Sequence, residues 1–138
     1  MKKTIQTMQL KRKIDVTCQL ITCVSHDPEL AIKKCKKTLA FYVSVGKIYR
    51  DFLAENGFES ETRNIFEEFK KSGFNSNHEL VTDKMINALT IAGDPETCIN
   101  QLQKIKETGV DLPIIQFNPI GNVADSFKLF SNTFFEEK

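Results

Sequence analysis

An α/β fold built on a parallel sheet is the architecture this sequence predicts, and three observations predict it. Short runs rich in Val, Ile, Thr and Leu alternate with longer segments whose apolar residues recur every three or four positions. The same strand-to-helix joint is written twice, as TCVSHDPELAIKKCKK over residues 22–37 and as TIAGDPETCINQLQK over residues 90–104. In both copies β-prone residues give way to Asp-Pro-Glu, with an Ile three positions and a Lys eight positions beyond the Glu (Ile32 and Lys37, Ile99 and Lys104). Strands alternating with helices through short loops call for parallel pairing and right-handed crossovers.

The first strand is expected over 14–24, IDVTCQLITCV, whose near-continuous apolar end suits a strand covered on both faces. Asp27 is placed to cap the next helix, with Pro28 at the first helical position and Glu29 beside the positive helix end. That helix continues through LAFYVSVGKIYRDFLAENG. Phe41, Val45, Ile48 and Phe52, with Tyr42, Tyr49 and Leu53 alongside, predict a wide apolar face. Gly46 inside it costs about 1 kcal/mol against Ala, so a bend is expected there, and Gly57 is a stop.

A second helix is expected over 60–73, with Ile65, Phe66 and Phe69 on one face, Glu67, Glu68, Lys70 and Lys71 on the other, and Gly73 closing it. NSNHE reads as a loop, and Thr82 as the cap of a short helix over 83–89. A brief strand follows at 88–92, then a helix over 95–108 with Ile99, Leu102 and Ile105 inward and Gly109 ending it. Residues 112–117 form the third strand, with Pro113 near its start, where a missing ladder donor matters least. A closing helix from about 122 carries Val123, Phe127, Phe130 and Phe134 as its expected buried stripe. The order is β-α-α-α-β-α-β-α. Three parallel strands alone leave two open edges and cannot close on themselves.

At 138 residues the chain fits one domain, and its 41% apolar and 27% charged composition is that of a globular protein. A net charge of +1 gives no electrostatic case for nucleic acid, and no apolar stretch is long enough to cross a bilayer. Residues 1–13 form a basic segment with five Lys/Arg and no acid, read as a solvated terminus able to touch an anionic partner; residues 14–138 form the domain. Cys18, Cys23, Cys35 and Cys98 make no C-x-x-C and have no His at metal-ligand spacing, so free thiols, mostly buried, in a reducing cytoplasm are expected and no metal. His26 and His78 have no orienting carboxylate or nucleophile in sequence context and read as loop residues. The adjacent pairs Glu67-Glu68 and Glu136-Glu137 point apart on a helix and do not converge on a substrate.

AFYVSVGKIYRDFLAENGF, followed by VTDKMINALTIAGDPETCINQLQKIKETGVDLPIIQFNPIGNVADSFKLF, resembles the C-terminal part of the luciferase-like oxidoreductases. Within that superfamily the resemblance is to the branch that includes methylenetetrahydromethanopterin reductase. It rests on the order and spacing of IAG-Asp-Pro-Glu-x-Cys, a helix ending in Gly-Val-Asp, a strand and an SFKLF helix. It implies a partial (β/α)8 TIM barrel: these would be the last three of eight strands, with 39–89 as a helical insertion. It further implies hydride transfer with coenzyme F-420 or FMN on a small-molecule substrate, such as a methylene-pterin one-carbon carrier.

Strands one to five of such a barrel have no counterpart here, and a Met close before the sixth strand points to a split, truncated or separately expressed fragment. Carboxyl ends of barrel strands face the active site, which places Ser25, His26, Gly93, Asp94 and Asn118 on the functional rim. Cofactor contacts are expected from Gly93, Asp94 and Asn118, and no catalytic residue is assigned. Capping is the competing role for Asp27 and Asp94. The isolated chain is expected to be inactive. The alternative is a non-catalytic α/β interaction module that forms a homo-oligomer or completes another chain's barrel.

Overall fold

The computed structural model describes residues 14–135. The basic segment 1–13 and the Glu136-Glu137 pair lie outside them. The chain runs β1 (Thr17–Val24), α1 (Pro28–Val45), α2 (Lys47–Leu53), a π-helical turn (Ala54–Phe58) and α3 (Glu59–Ser72). A 3-10 turn (Asn77–Leu80), α4 (Asp83–Leu89), β2 (Thr90–Gly93), α5 (Pro95–Glu107), β3 (Leu112–Phe117) and α6 (Val123–Phe134) complete it.

All three strands are parallel, in the order β2-β1-β3. Thr22 of β1 stands beside Ile91 on one side and Phe117 on the other. The α/β class and the parallel sheet are as the sequence predicts. A run of consecutive barrel strands would set β3 beside β2; here β3 crosses β1 and pairs with its far edge. Strand length accounts for the choice: β2 offers four residues, whereas β1 offers β3 a ladder of six register pairs.

Because the two crossovers run in opposite directions, helices cover both faces of the sheet. On one face Ile21, Cys23 and Ala92 pack with Ala31, Cys35, Leu39 and Val43 of α1 and Met85 and Ile86 of α4. On the other, Leu20, Val24 and Ile91 pack with Cys98 of α5 and Phe130 of α6. Each layer buries apolar surface that one helix stripe alone could not cover.

Local chemistry sets the boundaries. Val16 N–H bonds to the Asp111 carboxylate at 2.9 Å, so the ladder begins at Thr17 and not at 14. Thr90 closes α4, its N–H and hydroxyl both reaching the Ile86 carbonyl, so β2 begins two residues later than expected. The expected bend is a full break: α1 ends where Gly46 N–H reaches the Tyr42 carbonyl at 2.9 Å, and a Cβ at Gly46 would meet that oxygen. Gly57 interrupts the helical path within the π-turn, as expected of a stop, yet the chain re-enters a helix two residues on. NSNHE is not an open loop: part of it forms the 3-10 turn, with Asn77 buried.

Two predicted stripes are only partly buried: Leu53, with Tyr42 and Tyr49 beside it, faces the core in the first, and Phe130 and Phe134 do in the second. Phe41, Val45, Ile48 and Phe52 are 46–86% exposed. α1 instead sets its small residues, Ala31, Cys35 and Ala40, with Leu39 and Val43 against the sheet, which lets the helix approach closely. In α6 Val123 and Phe127 are exposed and Phe130 alone of the stripe is fully buried. Ser126 takes the inward position because its hydroxyl accepts the Ile120 N–H at 3.0 Å.

Candidate functional site

The carboxyl ends of the three strands meet at one rim. Ser25 N–H bonds to the Gly93 carbonyl at 3.0 Å, and Asn118 N–H to the Thr22 carbonyl at 3.1 Å. Gly93-Asp94 and Asn118 therefore flank the end of β1 on opposite sides, with Ser25 and His26 between them. Sequence reasoning placed all five residues on this rim.

Both Asp-Pro-Glu joints are capped helix starts. Asp27 Oδ1 accepts the Glu29 N–H at 3.0 Å, and Asp94 Oδ1 accepts the Thr97 N–H at 2.8 Å. The Thr97 N–H, followed by the Thr97 hydroxyl, holds the Asp94 carboxyl below the usual carboxylate range, so it is an anion at the positive end of α5. Gly93 is buried with φ +150, and an added Cβ would lie 2.9 Å from Thr97 Cγ2. Its missing side chain makes room for the neighbouring turn of α5.

Asn118 is a cross-brace. Its Nδ2 donates to the Gln116 carbonyl at 2.9 Å and the Thr22 carbonyl at 3.4 Å, while Oδ1 accepts from the Thr38 hydroxyl at 3.4 Å. One amide thus joins β1, β3 and α1. His26 is exposed. His78 sits in the 3-10 turn with Nδ1 buried and without a partner; burial, and then the Lys37 charge, pull its pKa down.

Three of the four thiols are packed inside the fold. Cys23, Cys35 and Cys98 are buried and Cys18 is half-buried, all four free, as the composition predicts. Burial pushes the Cys98 thiol up to about 12, and a hydrogen bond with Cys35, with burial behind it, raises Cys23 far above the ordinary thiol range. The Cys23 and Cys98 sulfurs are protonated packing groups near neutrality, not nucleophiles. Among the described residues no group of three or more His, Cys, Asp or Glu is arranged to hold a metal.

A cleft of about 560 Å³ lies between α5 and α6, walled by Pro95, Glu96, Ile99, Leu129 and Thr133. Another of about 340 Å³ is lined by Gln19, Ile21, Tyr42, Tyr49 and Gln116, where Gln19 donates to Gln116 and Gln116 to the Tyr42 hydroxyl, each at 3.2 Å. Sequence reasoning missed this amide-phenol chain, since no local spacing links positions so far apart.

Comparison with known proteins decides the family. The luciferase-like monooxygenase pattern matches residues 3–112, most of the chain. The chain belongs to this family. Over 110 residues, 79% of its length, this luciferase-like chain is 30% identical to 5,10-methylenetetrahydromethanopterin reductase of Methanopyrus kandleri. It spans 31% of that protein. The solved coenzyme F-420-dependent tetrahydromethanopterin reductase from the same organism superimposes with a TM-score of 0.69 and 27% identity, covering 87% of this chain and 34% of that one. The luciferase-like chain thus corresponds to about a third of the relatives it matches.

The luciferase-like rim of this chain, taken alone, does not fit a phosphate-bearing flavin or deazaflavin. The Asp94 carboxylate already holds the α5 terminus where a phosphate would seek N–H donors, and the Asn118 amide is engaged inside the fold. No described helix is long and apolar enough to cross a membrane.

Proposed function

We propose that this chain is the C-terminal portion of a luciferase-like oxidoreductase that uses coenzyme F-420 or FMN, with hydride transfer as the parent reaction and a 5,10-methylenetetrahydromethanopterin-type substrate. The observation that carries the reading is the 30% identity to the reductase over 110 residues. In an assembled barrel Gly93, Asp94 and Asn118 stand on the rim, and a cofactor held largely by the complementing part would supply the redox chemistry. The chain by itself holds no catalytic residue and is inactive. Its free buried thiols fit a reducing compartment, the cytoplasm.

Titration of the purified chain with coenzyme F-420 and with FMN, followed by fluorescence, tests this. The expected result is no saturable binding by the chain alone, and saturable binding once the N-terminal two-thirds of the reductase is supplied in trans. Failure of the reconstituted mixture to bind either cofactor would overturn the assignment.

A second reading is favoured by one observation. Both faces of the sheet are already covered by the chain's own helices, which suits a self-standing α/β interaction module better than an open barrel arc. Under that reading the chain folds cooperatively without a complement, and a sharp thermal transition of the isolated chain is the result that supports it.

A further inference from the structure

Of the asparagines in the chain, Asn56 alone is followed by a glycine. The Asn56-Gly57 pair lies within the π-helical turn that joins α2 to α3. Both residues are exposed, while Leu53 before them and Phe58 after them are buried. The backbone leaves the helical path at this pair: Asn56 has φ −107 and ψ 27, and Gly57 has φ +95 and ψ 17. Chain neighbours apart, nothing lies within 4 Å of where a Cβ at Gly57 would stand, so the peptide between the two residues has room to turn.

That geometry bears on a reaction every asparagine can in principle undergo. The backbone nitrogen of the next residue attacks the carboxamide carbon when the two can approach. A side chain on the next residue hinders the approach, and regular helical hydrogen bonding holds the peptide plane away from it. Glycine removes the first obstacle and the break in the helix removes the second. The other asparagines keep at least one of them: Asn75 precedes Ser76, Asn77 is buried, and Asn118 precedes Pro119, which has no N–H.

We propose that Asn56 is a site of spontaneous deamidation in the folded chain. The Gly57 nitrogen gives up its proton and bonds to Asn56 Cγ. The Cγ–Nδ2 bond breaks, and Nδ2 takes up a proton and leaves as ammonia. Water then opens the succinimide ring at either carbonyl, giving aspartate or, with the backbone routed through Cγ, isoaspartate. The net change is carboxamide plus water to carboxylic acid plus ammonia, with no oxidant, reductant or cofactor, and it stands apart from the oxidoreductase reading.

Two ties at the joint depend on the unmodified pair. Asn56 Nδ2 donates to the Phe52 carbonyl at 2.7 Å, holding the end of α2. A carboxylate has no proton to donate and faces that carbonyl as a second acceptor. Lys84 Nζ donates to the Gly57 carbonyl at 2.9 Å, joining α4 to the turn. The extra backbone atom of isoaspartate displaces that carbonyl. One chemical event therefore loosens the joint between α2 and α3 and its link to α4.

Peptide mapping by mass spectrometry, on the folded chain and on the chain unfolded in urea, tests the proposal over days of incubation from mildly acidic to mildly alkaline buffer. Conversion at Asn56 is expected to outpace that at Asn75 by about tenfold or more, because only glycine leaves the approach unhindered. Its rate in the folded chain is expected to stay within about tenfold of the unfolded rate, since the turn is exposed and outside the helical ladder. The rate should rise with pH, as the attacking nitrogen must lose its proton, and isoaspartate should appear among the products. Asn56→Gln, which keeps an exposed amide, should abolish the conversion. Asn56→Asp should speed amide exchange in the turn without any incubation. Loss of the Asn56 amide only in the unfolded chain, or conversion at Asn75 as fast as at Asn56, would overturn the proposal.

Discussion

The Asn77 side-chain amide donates to the Ser44 hydroxyl at 2.9 Å, both residues buried, and Ser44 passes the bond on to the Ala40 carbonyl at 2.7 Å. This link fixes the 3-10 turn against α1. Asn77→Ala is expected to destabilise the fold by about 1–3 kcal/mol, because it removes a buried hydrogen bond and leaves the turn unanchored. Ser44→Ala strands the amide and is expected to cost a similar amount. Urea denaturation of both single variants and the double variant measures this; additive losses would refute the coupling.

Gly93 lies within contact of Thr97 and at a positive φ. Gly93→Ala is expected to lower stability by about 1–3 kcal/mol through backbone strain and the clash together. Thr97→Ser removes the methyl 2.9 Å from the new Cβ and should recover part of the loss, leaving the φ contribution in place. No recovery in the double variant would show that the close approach does not matter.

Burial separates two apolar positions that look alike in sequence. Leu39 is fully buried and Ile48 is 86% exposed. Leu39→Ala is expected to cost about 2–5 kcal/mol, whereas Ile48→Lys should stay within about 0.5 kcal/mol of the parent. Chemical denaturation ranks them directly, and a large loss for Ile48→Lys would mean that the stripe is covered in solution.

Thiol labelling with a disulfide reagent near neutral pH should show one fast cysteine, Cys18, and three that react only on unfolding. The raised pKa values of Cys23 and Cys98 keep the thiolate scarce. Cys18→Ser should abolish the fast phase; a surviving fast phase would place one of the other sulfurs within reach of solvent.

The carboxyl of Asp94, held low by the Thr97 N–H, makes a pH-dependent contribution. Since its folded pKa lies below its unfolded value, the stabilisation is present above the ordinary carboxyl range and is lost as pH falls through it toward the folded pKa. Asp94→Asn should therefore flatten the stability profile below about pH 4, with the same fold retained at neutral pH. An unchanged acid limb would assign that loss to other carboxylates.

Local signals were legible in the sequence wherever a backbone terminus needed a partner. Asp27, Thr82 and Asp94 all cap helices as their positions predict. The third strand matches residue for residue, since Pro113 and the Asn118-Pro119 boundary fix both ends. Helix facing was less legible. Periodicity finds an apolar stripe but not the direction it turns: Phe41 to Phe52 form the stronger pattern, yet the sheet takes the smaller side chains of α1. Strand order was not readable either, because it depends on which ladder is longer, not on any one segment. Of the candidate rim, the positions of Gly93, Asp94 and Asn118 followed from the strand ends. The inward engagement of the Asn118 amide did not, for its partners Thr22 and Thr38 lie far away in sequence.

The central place of β1 has a consequence for how the chain is made. Val16 and its partner Asp111 are 95 positions apart, and every residue between them must leave the ribosome before that contact can close. Until then β1 can pair with β2 alone, and the edge that takes β3 stays open. The helices between are assembled from local contacts and form quickly, while the sheet is the late event. A chaperone that shields the β3-facing edge of residues 17–22 would cover backbone whose partner is the last strand to be translated.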